Sequence, residues 1–398
     1  MEGVHIFKKN PVNIAHFPTL MLVIGYPLFW AELFSGHARE GVTSPAVWWL
    51  FAFFVFFILL RERNSIAESA SQYRQMFFDQ TIAVRIFLTV GFILGLFILT
   101  CALLAALQPP YLMQESDVMN YHMSVPRQHL ILGSFAHIPW SADDLFFLPL
   151  DFALAPFWFV SPLPNKFPQF IFLLGLLGVV VNMCRELKPG GVMTSIIAVF
   201  ALLGSHGHGV QMGTAMLDLP ICYLFIAAID SFLKKQKWLF IVEFSFLIWS
   251  KSLMALQMGS FFGLLACLYF LMRAVGIRKV LFDFQRPVKP EDVAGFRQFL
   301  TGVLPVLILV SVCVGGPFLA KSLYYSGTPF FPVNIGSLAH PGIPEGSVAW
   351  ASLERSAHFM TRSIHNDGYG RSVIDFITHF WALAVPSEGV NNAFDYPM

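Results

Sequence analysis

The sequence predicts an all-α integral membrane protein of about nine crossings, and three observations lead there. Of the 398 residues, 56% are hydrophobic and only 12% charged, where an ordinary soluble domain carries about a quarter charged. The apolar residues come in blocks of roughly 16 to 24, the length that crosses ~30 Å of hydrocarbon at ~1.5 Å per residue. Lysine and arginine gather between alternate blocks, as short cytoplasmic loops require. The net charge of +1 provides no bulk basic field, so nucleic acid is excluded as a partner.

The blocks place spans at 17–34, 45–60, 84–107, 167–184, 191–206, 218–233, 238–254, 257–274 and 299–317. Lys8 and Lys9 ahead of the first block imitate a signal peptide. Trp30, Glu32 and Phe34 stand where its small-residue cleavage site would be, so the block is read as a span. Arg61, Arg63 and Arg74 follow the second span, Arg185 and Lys188 the fourth, and Lys234, Lys235 and Lys237 the sixth. Arg273, Arg278, Lys279, Arg286, Lys289 and Arg297 follow the eighth. A cytoplasmic N-terminus satisfies every case.

This orientation requires residues 143–164 not to cross. The stretch is rich in Phe and Leu but holds Asp143, Asp144, Asp151 and four prolines. A central Asp costs about 3 kcal/mol in a membrane helix, and each proline removes a backbone donor that lipid cannot replace. With Asp144 and Asp151 two turns apart, the stretch reads as one helix lying in the interface. Three regions then face outward: 108–164, 204–217 and everything after Pro317. Function is expected in them, whereas the basic loop 276–298 reads as a cytoplasmic connector on anionic lipid headgroups. The five cysteines, all within or at the ends of apolar blocks and without metal-ligand spacing, read as core residues.

The loop after the third span is the most informative segment. Glu115 and Asp117 follow Leu107 by a few residues, and a carboxylate at the hydrocarbon boundary is suited to accept a proton. The same Asp117 also fits a helix N-cap ahead of Tyr121, Val125 and Leu130. Lys321 fits either a phosphate contact or snorkelling to the interface, Lys251 a solvated turn, and Asp218 either acceptor binding or an N-cap before Pro220. His206 and His208 supply only two ligands of a metal set. Trp140, Trp158, Tyr324 and Tyr325 suit either sugar stacking or an interfacial belt.

Asp117-Val118-Met119-Asn120-Tyr121-His122, then Pro126-Arg127, Leu132-Gly133-Ser134 and Pro139, resemble the first extracytoplasmic loop of GT-C glycosyltransferases, in particular bacterial members of the dolichyl-phosphate-mannose mannosyltransferase and lipopolysaccharide glycosyltransferase superfamily. Thr214–Pro220, with Asp218, is similar to the acidic start of an outward-facing helix in that family. Leu319–Pro332, with Lys321, Tyr324, Tyr325 and Gly327-Thr328-Pro329, is similar to the run after a late span. The resemblance covers roughly residues 84–398. Residues 1–82 are then two added spans with a cytoplasmic link, 83–317 a GT-C-like core with catalytic loop 108–164, and 318–398 an extracytoplasmic segment.

The resemblance implies a bundle with interfacial helices in its first large outer loop, sited in a bacterial inner membrane. It implies inverting transfer of a sugar from a polyprenyl-phosphate donor to a lipid, glycan or protein acceptor of the cell envelope. Asp117 becomes the base, while Arg127, Lys321 and His122 hold the donor phosphate. Glu115, Tyr121, Asp218 and Tyr325 support the acceptor. Many relatives place two adjacent acids in the loop, whereas Val118 follows Asp117 here and the nearest second acid is Glu115. No cofactor is therefore demanded, and a divalent metal stays an open alternative. Relatives continue into further spans beyond the position of Met398, so the chain is expected to be either a natural short form or a fragment. Two other classes fit the residues: a transporter or flippase for a lipid-linked solute, and a noncatalytic relative. Against transport, Glu243 is the main ionisable residue within the apolar blocks, whereas transporters concentrate such residues at midplane.

Overall fold

The computed structural model describes residues 14–38, 40–110, 115, 117–187, 192–204, 212, 214–250 and 290–327. These residues are helical with no strand among them. The helices are α1 (Phe17–Ser35), α2 (Ala46–Phe78), α3 (Ile82–Leu107), α4 (Ser124–Leu132), α5 (Pro149–Trp158), α6 (Phe167–Leu187), α7 (Val192–Gly204), α8 (Asp218–Leu233), α9 (Lys237–Trp249) and α10 (Pro290–Ser326).

Among the described residues, four segments are long and apolar enough to cross a membrane: Ile14–Ser35, Ile82–Leu107, Phe167–Arg185 and Thr301–Ser326. The sequence also placed spans on α2, α7, α8 and α9. α2 is helical for 33 residues, but only Ala46–Leu60 is free of charge before Arg61. α8 and α9 have 16 and 13 residues, or roughly 24 and 20 Å at ~1.5 Å per residue, short of a ~30 Å core, whereas α7 is described over Val192–Gly204 with the residues flanking it outside the described set. The expected span 257–274 lies outside the described residues. α10 continues past Pro317, where the sequence reading ended the ninth span, to Ser326. There Gly327, at φ +71°, donates its N–H to the Leu323 carbonyl.

The chain forms two compact units, the first containing residues 14–135 and 151–230, the second 136–150 and 231–327. In the first, α6 packs against the start of α1, against α3 and against α7. Gly91 allows the α3–α7 approach, because a Cβ there would lie 2.3 Å from the Phe200 ring. α3 is largely exposed round the rest of its circumference, baring Phe87, Phe92 and Phe97, a surface suited to hydrocarbon rather than water.

Contacts within this unit sort helix ends into two sets. At one end, His16 meets Asp230 at 3.0 Å, the Ile14 N–H donates to Glu62 at 2.9 Å, and Arg185 donates to Gln72 at 2.7 Å. At the other, the Thr43 N–H donates to the Phe159 carbonyl at 2.8 Å, Lys166 N–H to Ala106 at 2.9 Å, and the Gln169 amide to Ala215 at 3.4 Å. α1, α2, α3, α6 and α8 therefore run between the two ends.

Residues 143–164 do not form the single interfacial helix expected. A 3-10 turn covers Ala142–Leu145, the chain extends through Phe146–Leu148, and α5 follows. Asp144 and Asp151 thus stand on different elements. α5 is not amphipathic at a surface, since Asp151–Trp158 is buried throughout. Phe152 packs on Phe29, Trp48 donates to the Phe157 carbonyl, and the Ala153 carbonyl lies 1.9 Å from where a Gly25 Cβ would be. Trp158 is a core residue donating to Gln169, not part of a belt, whereas Trp140 and Tyr324 are exposed. Cys101 and Cys313 are exposed too, against the core reading. Cys184 and Cys222 are half-buried, and Cys267 lies outside the described residues.

In the second unit, α9 packs along α10 through Ile241, Phe299 and Val303. Gly315 seats Trp249, whose ring would lie 2.2 Å from a Cβ at that position. Buried polar groups pair here as burial demands. Ser231 donates to Glu243 at 2.7 Å, and the Ser245 and Ser311 hydroxyls meet at 3.1 Å.

Candidate functional site

In the first unit, α3 gives way at Leu107 to the loop that carries the expected base. Glu115 is buried and paired with Lys166, 3.0 Å and 3.3 Å from its two oxygens. It therefore holds the loop against the start of α6, and its role is that of an ion-pair partner rather than a second acid beside Asp117. Asp117 itself is exposed. It precedes a π turn, Val118–His122, and makes no side-chain capping bond to it, so the N-cap alternative is not realised. Such turns recur at functional sites because they redirect side chains within a helical path. α4 then starts at Ser124, later than an Asp117-initiated helix would.

The turn points His122 inward. Its Nδ1 lies 2.9 Å from Asp151 Oδ1, both residues are buried, and the Tyr121 ring lies 4.2 Å from the imidazole. A carboxylate in this position fixes the ring's orientation and favours the Nδ1–H tautomer. His122 is thus engaged with Asp151 rather than presented to a groove, and Tyr121 packs on it.

Arg127 projects from α4 into a different setting. Its Nη2 donates to the Pro162 carbonyl at 3.3 Å, its guanidinium lies 5.7 Å from the centre of the Phe159 ring, and its buried Nε has no hydrogen-bond partner among the described residues. Gly41, at φ +69°, allows this approach, because a Cβ there would meet Nε at 2.9 Å. A cavity of about 280 Å³ adjoins it, lined by Met119, Met123, Ser124, Arg127, Gln128, Ile131, Phe159 and Pro164. Asp117 does not line this cavity, but Met119, two residues on, does. Asp218 stands in the first turn of α8 rather than ahead of it.

The second unit gathers Lys321 and Tyr325 around a residue that the sequence reading did not assign. Asp144, fully inside, accepts from Lys321 Nζ at 2.5 Å and from the Ile138 N–H at 2.7 Å, and it meets His137 Nδ1 at 3.0 Å. Tyr325 lies 5.4 Å from the His137 ring. Lys321 is buried within α10 and neither snorkels nor stands beyond the span. His206, His208 and Lys251 lie outside the described residues. Among the described residues no group of three or more His, Cys, Asp or Glu is placed to hold a metal.

Asp144, Asp151, His137 and Lys166 were the residues that sequence reasoning missed. The signal was present, since charge inside an apolar stretch survives only when paired. The partner was not legible, because Lys321 lies 177 residues from Asp144.

No family model, characterised protein or solved structure matches the chain.

Proposed function

We propose that this protein is a GT-C-like membrane glycosyltransferase, with nine crossings and a cytoplasmic N-terminus in a bacterial inner membrane, that transfers a sugar from a polyprenyl phosphate to an acceptor hydroxyl on the extracytoplasmic face. The observation that carries the reading is Asp117, an exposed carboxylate that makes no capping bond and stands immediately before a π turn after α3. It lies two residues ahead of the Met119 wall of a cavity that also holds Arg127.

In the reaction, Asp117 takes the proton of the acceptor hydroxyl as that oxygen attacks the anomeric carbon. The bond from that carbon to the phosphate oxygen breaks, polyprenyl phosphate departs, and the anomeric configuration inverts. Arg127 carries the donor phosphate in this scheme. Its planar fork suits a phosphate, and its described contacts are a carbonyl, a glycine and an aromatic face rather than a carboxylate. Lys321 is already neutralised by Asp144, so its role is to fix the outer end of α10. The resemblance of 117–139, 214–220 and 319–332 to GT-C loops supports the same assignment.

Turnover by purified protein in nanodiscs, supplied with polyprenyl-phosphate sugars, tests this. Asp117→Asn is expected to lose roughly 10²–10⁴-fold in rate, the usual worth of a positioned base. Equal turnover would remove Asp117 as the base. No turnover in either protein would favour the transporter or noncatalytic reading.

A further inference from the structure

A second cavity, of about 460 Å³, lies between the end of α1 and the start of α2, lined by Leu28, Glu32, Ser44, Ala46, Val47 and Leu50. Four of these six side chains are aliphatic, and Glu32 is the one ionisable group. The Glu32 carboxylate is held in place, since its Oε1 accepts the Ser44 N–H at 3.1 Å. Its Oε2 is buried and has no hydrogen-bond donor among the described residues. A buried acceptor left in that state is costly, and a charged donor relieves it best. Glu32 belongs to the last turn of α1, a turn before Gly36 ends the helix and near the end of the candidate span Ile14–Ser35. On the cavity's flank Leu50 is exposed, and so are Phe53 and Phe54 farther along α2, giving the site an apolar approach from the bilayer.

We propose that this cavity binds an amphiphile with a primary ammonium headgroup. On binding, the Glu32 side chain turns Oε2 toward the cavity to accept from the ammonium, and the tail runs over Leu28, Val47 and Leu50 into the hydrocarbon. An ammonium offers three N–H donors, whereas a quaternary choline headgroup offers none and is refused. The site is separate from the Arg127 cavity, and its occupancy does not depend on glycosyl transfer.

Native mass spectrometry of the detergent-purified full chain tests the proposal by titration with phosphatidylethanolamine, phosphatidylcholine and dodecylamine. The parent is expected to retain phosphatidylethanolamine about tenfold more tightly than phosphatidylcholine, the worth of one charge-assisted hydrogen bond. Displacement by dodecylamine assigns recognition to the ammonium and tail. Binding of dodecylamine alone also upholds that chemistry and identifies a free amine as the source. Glu32→Gln keeps an oxygen for Ser44 but loses the charge, and Ala46→Phe fills the cavity while keeping the carboxylate. Both should abolish the preference without shifting the melting temperature. Equal binding of the two phospholipids by the parent, no binding of any amine, or a preference that survives either variant overturns the proposal.

Discussion

A lysine near the end of a membrane helix either reaches for the interface or finds an acid, and Lys321 does the latter. With Asp144 and His137 it forms a buried cluster whose members cannot be removed singly without leaving charge in an apolar interior. Lys321→Met is therefore expected to cost about 3–5 kcal/mol of stability. Adding Asp144→Asn should recover most of that loss, as a double-mutant cycle by thermal unfolding in detergent would measure. Additive losses would mean that the two groups are not coupled. Arg127 is a residue of another kind, set on a glycine and an aromatic face beside a cavity. Arg127→Lys keeps the charge but loses the fork and the stacking. If Arg127 holds the donor phosphate as proposed, this change should raise KM for a polyprenyl-phosphate sugar roughly tenfold with little effect on folding. An unchanged KM would place the phosphate elsewhere.

Helices were legible in the sequence where hydropathy alone decides them. α1, α3 and α6 begin and end within about three residues of the expected spans. They were less legible where tertiary partners decide. α5 holds Asp151 and Pro156, which argued for an interface, yet it is buried because His122 hydrogen-bonds the Asp151 carboxylate and Gly25 lets α1 approach. No local pattern reveals a partner supplied by another element, and for the same reason Asp117 was legible as a candidate while the engagement of Glu115 and His122 was not. The α1–α5 contact makes a prediction at this scale. Gly25→Ala would drive a methyl group into the Ala153 carbonyl and should destabilise by about 1–3 kcal/mol or more. Gly95→Ala on α3, where the nearest atom lies at 3.5 Å, should be nearly neutral. Similar melting temperatures for the two variants would contradict the packing described.

At the scale of the whole molecule, the lysine and arginine pattern proposes which helix ends face the cytoplasm, and the end-to-end contacts of the first unit give the two groups of ends on which that proposal can be tested. His16, Glu62, Gln72, Arg185 and Asp230 mark one end. Thr43, Ala106, Phe159, Lys166 and Ala215 mark the other. Cysteines introduced at exposed Ser65 and Ser44, in a background lacking the five native ones, should react with a membrane-impermeant maleimide from opposite sides of the bilayer. Labelling of both from one side would break the topology. The catalytic account adds that Asp117 shares the outer side with Ser44. The most direct measurement is therefore impermeant-maleimide labelling of Asp117→Cys in intact cells. The account predicts reaction without permeabilisation, matching Ser44→Cys. Reaction only after permeabilisation, matching Ser65→Cys, would put the proposed base on the cytosolic side, away from an extracytoplasmic sugar carrier, and contradict the account.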